Sequence, residues 1–332
     1  MRALVVINPV AGRARTGLIF DSLRRWLSRS DLQLEIFETT GGEEVGEVVR
    51  EAIQGGVERV FVAGGDGTVS QAADGLALTG VPMGIIPAGT SNVVAQELGI
   101  PLNVDSACRL LADQPVVKEL DAIKVGNQYF ILAVGTGLDA QVMESVDSER
   151  KRRFGPAAYV WSAMKVVIGM QPRRFTVIAD GKPFQTSASV VLLSNMATLT
   201  RPLRWGPHIK PDDGQIDINI IRGKHVLDYV LAAYDVLPGG PRKMAHIRQL
   251  RARESVVVYA DKPLKVQGDG DLIGQTPLEA RIVPKAVRVL VQDQDAASDS
   301  SWTLKIPDRL SLSREEGTWL GKIRNARNQG GE

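Results

Sequence analysis

A short glycine-rich stretch constrains the fold of this chain more than any other feature. The apolar residues 60–63 are followed at once by Gly64-Gly65-Asp66-Gly67-Thr68, and a helical pattern of apolar residues continues over 69–78. A short apolar run that ends in glycines before a helical pattern is typical of a buried strand, a tight turn and the start of a helix. The stretch therefore predicts a strand–turn–helix unit.

The chemistry of this turn suits a phosphate group. Glycines lack a Cβ atom, so the backbone can adopt positive φ angles and lie close to a polyphosphate. The N–H groups and the positive dipole at a helix start attract anions. Phosphate alone needs no carboxylate, so Asp66 indicates a Mg²⁺ ion bound together with phosphate oxygens and water. Taken alone, an ordinary Asp-Gly turn explains the same residues equally well.

The composition restricts the class of protein. A length of 332 residues suits two domains, and a net charge of +2 produces no strong field that would attract nucleic acid. The single Cys108 excludes an intramolecular disulfide and fits a reducing cytoplasm. The longest apolar helical pattern, 157–170, contains Lys165 and is too short to span a bilayer. We therefore expect a cytoplasmic protein without a transmembrane segment.

Strands and helices alternate in the first third of the chain. Strand-like runs at 4–7, 33–37, 60–63 and 83–86 are separated by helical patterns, which predicts a parallel sheet covered on both faces. Ligands of such sheets bind beyond the carboxyl ends of the strands. The polar turns that follow the strands are therefore expected to converge on one crevice; they contain Asn8, Thr39, the glycine turn and residues 90–92.

The pattern changes after residue 115, where strand-like segments follow one another with few helices between them. They lie at 116–125, 130–135, 175–179, 189–193, 216–221, 255–259, 278–283 and 287–291. Helical patterns remain at 157–168 and 225–237. Many short strands predict a mainly antiparallel β-sandwich at about 122–292. Residues 293–301 have the composition of a linker, and the apolar tail after them is expected to pack back on the body.

Six motifs occur along the chain in a fixed order. They are Asn8-Pro9-x-x-Gly12, Gly64-Gly65-Asp66-Gly67-Thr68, Pro87-x-Gly89-Thr90-x-Asn92, Gly135-x-Gly137-x-Asp139, Asp213-Gly214-x-x-Asp217 and Gly268-Asp269-Gly270-Asp271. This ordered set resembles the diacylglycerol kinase catalytic-domain family, which includes soluble bacterial lipid kinases and sphingosine kinases, and the resemblance covers about residues 1–292. It implies a Rossmann-like domain at 1–121, similar to those of NAD kinase and phosphofructokinase, a lipid-specific β-sandwich at 122–292, and a segment 293–332 that returns to the body.

The same resemblance implies roles for individual residues. Asp66 and Asp121 look like parts of an acidic, water-mediated Mg²⁺ network. The Asp213 side chain and the carbonyl groups of Lys210 and Gln215 look like ligands of a structural Mg²⁺. Asp269-Gly270-Asp271 matches the family's Asp-Gly-Glu, whose acidic residues are the proposed catalytic base. The implied ATP site consists of Asn8, Thr39 or Thr40, Gly64, Gly65, Asp66, Gly67, Thr68, Val69, Ser70, Thr90 and Asn92.

Three positions depart from the family pattern. Val93 stands where the family often has Asp, and Asp271 stands where it has Glu. Residues 196–205, which include Arg201, Arg204 and Trp205, replace a glycine-rich segment. Val93 affects the expected geometry of the metal site, and Asp271 affects the expected catalytic base. Residues 196–205 affect the expected lipid preference.

Two of the loops also have simpler interpretations. Asp213-Gly214 is typical of a type I turn before a strand. Asp269-Gly270 is typical of a hairpin turn, here between residues 264–266 and 276–283. If the second loop is extended, Asp269 and Asp271 point to the same side, and two like charges at that distance raise one of the two pKa values.

The sequence therefore predicts an ATP- and Mg²⁺-dependent kinase that phosphorylates a lipid hydroxyl at a membrane surface, with diacylglycerol as the default acceptor. The residues expected to carry the reaction are Asp271, Asp269 and Asp66. A homodimer is left open. Two alternatives stand beside this prediction: an NAD-kinase-like or phosphofructokinase-like kinase of a soluble substrate, and a nucleotide- or lipid-binding protein that has lost catalysis.

Overall fold

The computed structural model describes residues 1–9, 16–27, 32–113, 115–137, 172–200, 203–206, 208–223, 226–235 and 246–293. The predicted helix at 157–168, Asp139 and the tail after residue 293 lie outside these residues. Among the described residues, no helix is long and apolar enough to cross a bilayer.

The first part of the chain alternates between strands and helices. Its elements are β1 (Arg2–Ile7), α1 (Thr16–Trp26), β2 (Gln33–Glu38), α2 (Val45–Gln54), β3 (Arg59–Gly64), α3 (Asp66–Leu76), β4 (Met83–Pro87), α4 (Val93–Glu97) and α5 (Val104–Ala112). Strands β2, β1, β3 and β4 lie side by side in that order and are parallel. The predicted parallel sheet is confirmed.

Both faces of this sheet are covered, because consecutive side chains of a strand point to opposite faces. Val60 and Val62 of β3 pack in one apolar cluster with Val49 of α2. Phe61 of β3 packs in a second cluster with Leu23 of α1. Helices α2 and α3 therefore cover one face, while α1 and α5 cover the other.

Two details of the helices differ from the sequence prediction. Helix α3 begins at Asp66, whereas the apolar pattern predicted a start at residue 69. Helix α5 was not predicted. Its signal was present, because the Asn103 side chain accepts a hydrogen bond from the Ser106 N–H group at 3.1 Å, as a helix N-cap does.

The second part of the chain is mostly strands. Its elements are β5 (Val116–Val125), β6 (Gln128–Phe130), β7 (Ala133–Thr136), β8 (Arg173–Ala179), β9 (Lys182–Ala188), β10 (Val190–Ser194), β11 (Thr198–Thr200), β12 (Leu203–Arg204), β13 (Ile216–Ile221), α6 (Val226–Asp235), β14 (Ile247–Ala252), β15 (Ser255–Ala260), β16 (Lys265–Gly268), β17 (Asp271–Gln275) and β18 (Leu278–Val291).

These strands form the predicted sandwich, which is confirmed. Six of them make an antiparallel sheet in the order β14, β13, β10, β7, β16 and β17. Strands β18, β15, β8 and β9 extend the first sheet, with β5 paired to β18 and β6 paired to β5. Strands β11 and β12 pair with each other in a small separate sheet. The core between the layers contains Ile218 of β13, Val258 of β15 and Phe175 of β8.

Three strand predictions were wrong in detail. Residues 278–283 and 287–291 belong to the single strand β18, whose pairing with β5 shifts between Val283 and Val287. The predicted strand 130–135 is divided between β6 and β7. The hairpin strand after Gly270 is β17, and not the predicted 276–283.

The predicted domain boundary at residue 121 lies inside β5. Strand β5 pairs with β18, and β18 also contacts β4 of the parallel sheet through Val289 and Met83. By the density of its internal contacts, Met1–Asp293 is one compact unit. The division into domains at 1–121 and 122–292 stays a prediction.

We predict that Gly75→Ala destabilises the protein. A Cβ atom at Gly75 would lie 2.4 Å from the carbonyl oxygen of Gly46, so α2 and α3 would have to separate. Overpacking of this kind costs about 1–3 kcal/mol of unfolding free energy, which urea denaturation measures.

Gly17→Ala is the matched control. No described atom lies within 4 Å of a Cβ at Gly17, and alanine favours helix over glycine. The control should be neutral or stabilising. A loss of stability at Gly75→Ala no larger than at Gly17→Ala would contradict the close packing of the two helices.

Candidate functional site

The structure brings together most of the polar turns that follow the parallel strands. The Asn8 side-chain Nδ2 donates to Thr68 Oγ1 at 3.0 Å. The backbone N–H of Thr39 donates to the Ile7 carbonyl at 2.9 Å, and that of Ala88 donates to the Gly64 carbonyl at 3.0 Å. The ends of β1, β2, β3 and β4 therefore meet at one edge of the sheet.

The glycine turn is packed too closely for side chains. A Cβ atom at Gly89 would lie 2.5 Å from the Cα of Gly65, and one at Gly64 would lie 2.8 Å from the Cβ of Thr68. Gly65 is the N-cap of α3 and supplies no side-chain cap. The first N–H groups of α3, including those of Gly67 and Thr68, are therefore oriented to bind an anion.

Asp66 lies in the first turn of α3 and contacts the next helix. Its Oδ1 atom accepts a hydrogen bond from the Val94 N–H at 3.1 Å. Burial raises the pKa of Asp66, while hydrogen bonds from the backbone of residues 92–94 lower it by less. Asp66 thus caps the start of α4, a role that the sequence analysis did not foresee.

Asn92 shapes the turn before α4. It has a left-handed backbone with φ of 47°, and its amide group bonds both to the N–H of Gly89 at 3.0 Å and to its carbonyl at 2.9 Å. The side chain is therefore occupied in closing its own loop. Thr90 in the same loop is exposed.

Thr39 and Thr40 differ in what their hydroxyl groups contact. The Thr40 hydroxyl donates to Glu43 Oε1 at 2.7 Å, and its backbone N–H donates to Glu43 Oε2 at 2.9 Å. Thr39 is buried, and its Oγ1 atom has no hydrogen-bond partner within the described part of the chain. An unpaired buried hydroxyl is costly, so Thr39 is the better candidate to contact a ligand.

The Asp269 carboxylate joins α3 to the β16–β17 hairpin. It accepts hydrogen bonds from the Ser70 hydroxyl and from the N–H groups of Ile131, Leu132 and Ala133, the last three at 2.8–3.0 Å. Burial is the largest influence on this group, and it raises the pKa of Asp269 to about 6. Val69, which precedes Ser70, is buried in the sheet-facing side of α3.

Asp271 lies in a different environment. The loop is not extended, because Asp269 and Gly270 have φ angles of 48° and 103°. The expectation that both carboxylates point to one side from an extended loop was therefore wrong. Asp271 is exposed, and its Oδ2 atom lies 3.4 Å from Nε2 of Gln71 on α3.

The other predicted metal ligands lie near the start of β13. The Asp213 Oδ1 atom accepts from the Gln215 N–H at 3.1 Å. Asp121 is buried and bridges two loops, because its Oδ2 accepts from the Gly214 N–H at 2.6 Å and its Oδ1 from the Lys285 N–H at 2.9 Å. Burial raises the pKa of Asp213, and the nearby charge of Asp121 raises it further.

The described residues contain no group of three or more His, Cys, Asp or Glu side chains that could hold a metal. The Asp213 environment nevertheless fits a cation, because burial and the charge of neighbouring carboxylates raise the pKa of Asp213, and a positive charge beside it would stabilise its carboxylate. Asp66 fits as one carboxylate beside phosphate oxygens, which is the ligand set that Mg²⁺ prefers. The lysine side chain of the predicted loop, Lys210, is exposed.

Several residues around the hairpin were missed by the sequence analysis. Gln71 contacts Asp271, and Glu44 and Asp74 lie with it along a cavity of about 300 Å³ beside the loop. Gln71 follows Ser70 directly, and Asp74 lies one helical turn after Ser70. The positions of Gln71 and Asp74 relative to Ser70 on one helix could have suggested that they lie near the hairpin. That inference requires knowing where the hairpin packs, which the sequence does not show.

Comparisons with known proteins identify a family for each of the two parts of the chain. Residues 2–125 match the family described as diacylglycerol kinase catalytic domain. Residues 132–291 match the family described as YegS C-terminal NAD kinase beta sandwich-like domain.

Relatives match over most of the chain at low identity. The diacylglycerol kinase of Bacillus subtilis is 26% identical over 89% of this chain and 98% of its own length. A Synechocystis protein named uncharacterized protein sll0036 is 27% identical over 86% of this chain and 69% of its own. A crystal structure of a diacylglycerol kinase from Bacillus anthracis has a TM-score of 0.73 at 23% identity, covering 89% of this chain and 98% of that one, and it supports the fold.

We predict that Asp269 makes stability depend on pH in a defined direction. With a folded pKa raised to about 6, its carboxyl group binds a proton more tightly in the folded chain than in the unfolded chain. Its contribution to stability is therefore fully present below about pH 4 and is lost as the pH rises through about 6. Urea unfolding of wild type and of Asp269→Asn across this range measures it.

The informative quantity is the difference between the two unfolding free energies. The unfolding free energy of Asp269→Asn minus that of the wild type should increase as the pH rises from about 4 to about 7. The reason is that Asp269 loses its stabilising proton over this range, whereas asparagine does not titrate. A difference that stays constant over this range would contradict the raised pKa.

Proposed function

Because residues 2–125 belong to the diacylglycerol kinase catalytic domain family, we propose that the protein is an ATP- and Mg²⁺-dependent lipid kinase. It transfers the γ-phosphate of ATP to a lipid hydroxyl, with diacylglycerol as the default acceptor. The lipid is met at a membrane surface. The B. subtilis relative, named diacylglycerol kinase, supports the choice of acceptor.

One observation carries this proposal: α3 connects the glycine turn to the β16–β17 hairpin. The helix starts at Asp66 within the turn, and one turn later Ser70 and Gln71 contact the two carboxylates of the hairpin. Four residues of helix span about 6 Å. A phosphate at the helix start and a carboxylate at the hairpin tip are therefore held at a distance that one transferred phosphoryl group and one acceptor oxygen can bridge.

We assign different roles to the two hairpin carboxylates. Asp269 is engaged by three backbone N–H groups and by Ser70, so it holds the loop in place and acts through it. Asp271 is exposed, and within the described part of the chain its side chain contacts Gln71 at 3.4 Å and no other hydrogen-bond donor, so it is available to accept the proton of the acceptor hydroxyl. Asp271 is therefore the proposed base, and Asp269 is the positioning residue.

The nucleotide site follows from the donors at the strand ends. The first N–H groups of α3 bind phosphate, Thr68 and Thr39 add hydroxyl groups, and Asn8 orients Thr68. The Asp66 carboxylate would hold Mg²⁺, and this ion would supply neutralisation of phosphate charge. Asp121 would not bind this ion directly, because both of its carboxylate oxygens already accept hydrogen bonds from backbone N–H groups.

A second candidate, a binding protein without catalysis, is favoured by one observation. Val93 stands at the start of α4, and the Asp66 carboxylate there bonds to the N–H of Val94. One carboxylate is then left where the family pattern often provides two. Phosphate transfer from labelled ATP to diacylglycerol in detergent micelles separates the two candidates, because a binding protein retains nucleotide affinity and transfers nothing.

We predict that Asp271→Asn lowers kcat for lipid phosphorylation by about 10²–10⁴-fold, which is the range for loss of a general base. The Kd for ATP, measured by calorimetry, should change little because Asp271 does not touch the glycine turn. Asp271→Glu should retain activity, since it restores the family's side chain. Wild-type kcat in Asp271→Asn would place the base elsewhere.

We predict that Asp213 binds a structural cation. Asp213→Ala should lower both Tm and activity, and EDTA should lower the Tm of the wild type by a similar amount while leaving the Tm of Asp213→Ala unchanged. Added Mg²⁺ should restore the wild-type Tm. Melting curves indifferent to EDTA and to the substitution would rule out a cation at this loop.

A further inference from the structure

A small hairpin contacts the helix that follows the Thr90–Asn92 loop. Strands β11 and β12 pair with each other, and their register places Thr198 directly opposite Arg204. Glu97, the last residue of α4, lies against this pair. The Arg204 Nη2 atom donates to Glu97 Oε1 at 3.0 Å and to Oε2 at 3.1 Å, and the Thr198 hydroxyl also donates to Oε2. Both strands of the hairpin therefore hold one carboxylate.

The Glu97 carboxylate is largely buried, although its partner is not. Its side chain is 7% exposed, whereas the side chain of Arg204 is 53% exposed. A buried carboxylate is costly unless it is paired and hydrogen-bonded. This pair therefore differs from an ion pair between two exposed side chains, which contributes little to stability. The position of Glu97 depends on the hairpin.

The base of the hairpin is fixed in the sandwich. Ala197, directly before β11, and Trp205, directly after β12, pack in one apolar cluster with Ala232 of α6 and Ile247 of β14. The Trp205 N–H group also donates to the Ala197 carbonyl at 2.9 Å. The hairpin therefore joins α4 to α6 and β14.

Helix α4 is short, and its first turn contacts Asp66. It has five residues, from Val93 to Glu97, so it depends on its contacts more than on its own helical stability. The Val94 N–H group donates to Asp66 Oδ1 at 3.1 Å. Glu97 lies four residues after Val93, which is about 6 Å along the helix axis. A displacement of the hairpin end of α4 would therefore reach the Asp66 carboxylate.

Apolar packing alone does not set the orientation of α4. Val94, Ala95 and Leu98 pack in the apolar cluster that also contains Met196, the second residue before β11. Such contacts are non-directional, whereas hydrogen bonds to a charged group restrict both distance and angle. The hydrogen bonds of Glu97 therefore fix the rotation of the helix and its position along its axis.

Two departures from the family pattern meet at α4. Val93, at its start, stands where the family often has Asp, and Asp66 bonds to the N–H group of the next residue. The hairpin lies within residues 196–205, which replace a glycine-rich segment. Glycines would supply neither the Thr198 hydroxyl group nor the Arg204 guanidinium group. The chain therefore has an additional anchor for α4 where it lacks one carboxylate.

We propose that Glu97 is a positioning residue for Asp66. Thr198 and Arg204 fix Glu97, and with it α4, to the hairpin, and α4 fixes the Asp66 carboxylate through the Val94 N–H group. The inference rests on the proposed function, in which Asp66 holds Mg²⁺ beside the nucleotide phosphates. It adds that the β11–β12 hairpin determines how tightly this Mg²⁺ is bound.

The first test needs neither metal nor nucleotide. Arg204→Ala removes an exposed side chain and leaves the Glu97 carboxylate without the guanidinium group, so amide exchange across α4 should become faster. Arg204→Lys should restore slow exchange, because a single nitrogen of Arg204 makes both contacts and an ammonium group can replace it. Hydrogen–deuterium exchange of a peptide that covers residues 92–98 measures this.

The second test measures Mg²⁺ binding without turnover. Calorimetry gives the Kd for ADP at a series of Mg²⁺ concentrations, and the Mg²⁺ concentration at half of the effect is compared between variants. Arg204→Ala and Thr198→Val should raise this concentration by about 10–100-fold, as the loss of a residue that orients a metal ligand does. The Kd for ADP without added Mg²⁺ should change little. Arg204→Lys and Thr198→Ser should remain close to the wild type.

Ile218→Val is the control for a general loss of stability. Ile218 is fully buried in the core of the sandwich and belongs to neither the hairpin nor α4. Removal of one methylene group from this core lowers the Tm without changing the contacts of Glu97. This variant should leave the exchange of α4 and the Mg²⁺ dependence of ADP binding as they are in the wild type.

Two results overturn the inference alone. One is an unchanged Mg²⁺ dependence in Arg204→Ala and Thr198→Val, and the other is a shift of the same size in Ile218→Val. If Mg²⁺ has no effect on ADP binding by the wild type, the inference fails together with the Mg²⁺ dependence of the proposed function. If the variants behave as expected but the wild type transfers no phosphate to a lipid, the inference holds and the proposed function fails.

Discussion

The carboxylate of Asp269 accepts hydrogen bonds from three consecutive backbone N–H groups and from the hydroxyl of Ser70. Ser70 belongs to the helix that starts at the glycine turn, whereas Ile131, Leu132 and Ala133 lie on the chain that enters β7. Hydrogen bonds to a charged group are worth about 1.5–3 kcal/mol each. One side chain thus fixes the hairpin to the helix that starts at the glycine turn, and groups held in this way need little reorganisation.

The architecture was predictable because its signals are local and periodic. Apolar runs that end in glycine or polar turns identified β1, β2, β3 and β4, and alternation identified most strands of the sandwich. Pairing between strands was not predictable, because it depends on residues far apart in sequence. Residues 278–291 show this: a break in the pattern near Lys285, which has φ of 54°, indicated two strands, yet neighbours on both sides keep the segment as one.

The candidate site divides in the same way. The motifs identified five candidate site carboxylates, but they did not predict the hydrogen bonds and burial of each one. The five are Asp66, Asp121, Asp213, Asp269 and Asp271. Whether a carboxylate is free or occupied depends on which N–H groups face it. Asp121 and Asp269 prove to be bound by backbone groups from distant loops, whereas Asp271 remains exposed. Gln71 carries no motif, and its contact with Asp271 follows only from the position of the hairpin.

The late position of β18 in the sequence affects how the parallel sheet is completed during synthesis. Strand β4 is the last of the parallel strands, and in the described part of the chain the strand beside its other edge is β18, which comes more than 190 residues later in sequence. During synthesis, β4 therefore presents an unpaired, apolar edge long after the rest of its sheet has emerged from the ribosome. Such an edge is a template for pairing with other chains. Production of this protein should be sensitive to the rate of synthesis and to chaperones that shield exposed strands, even though β18 lies beside that edge in the finished molecule.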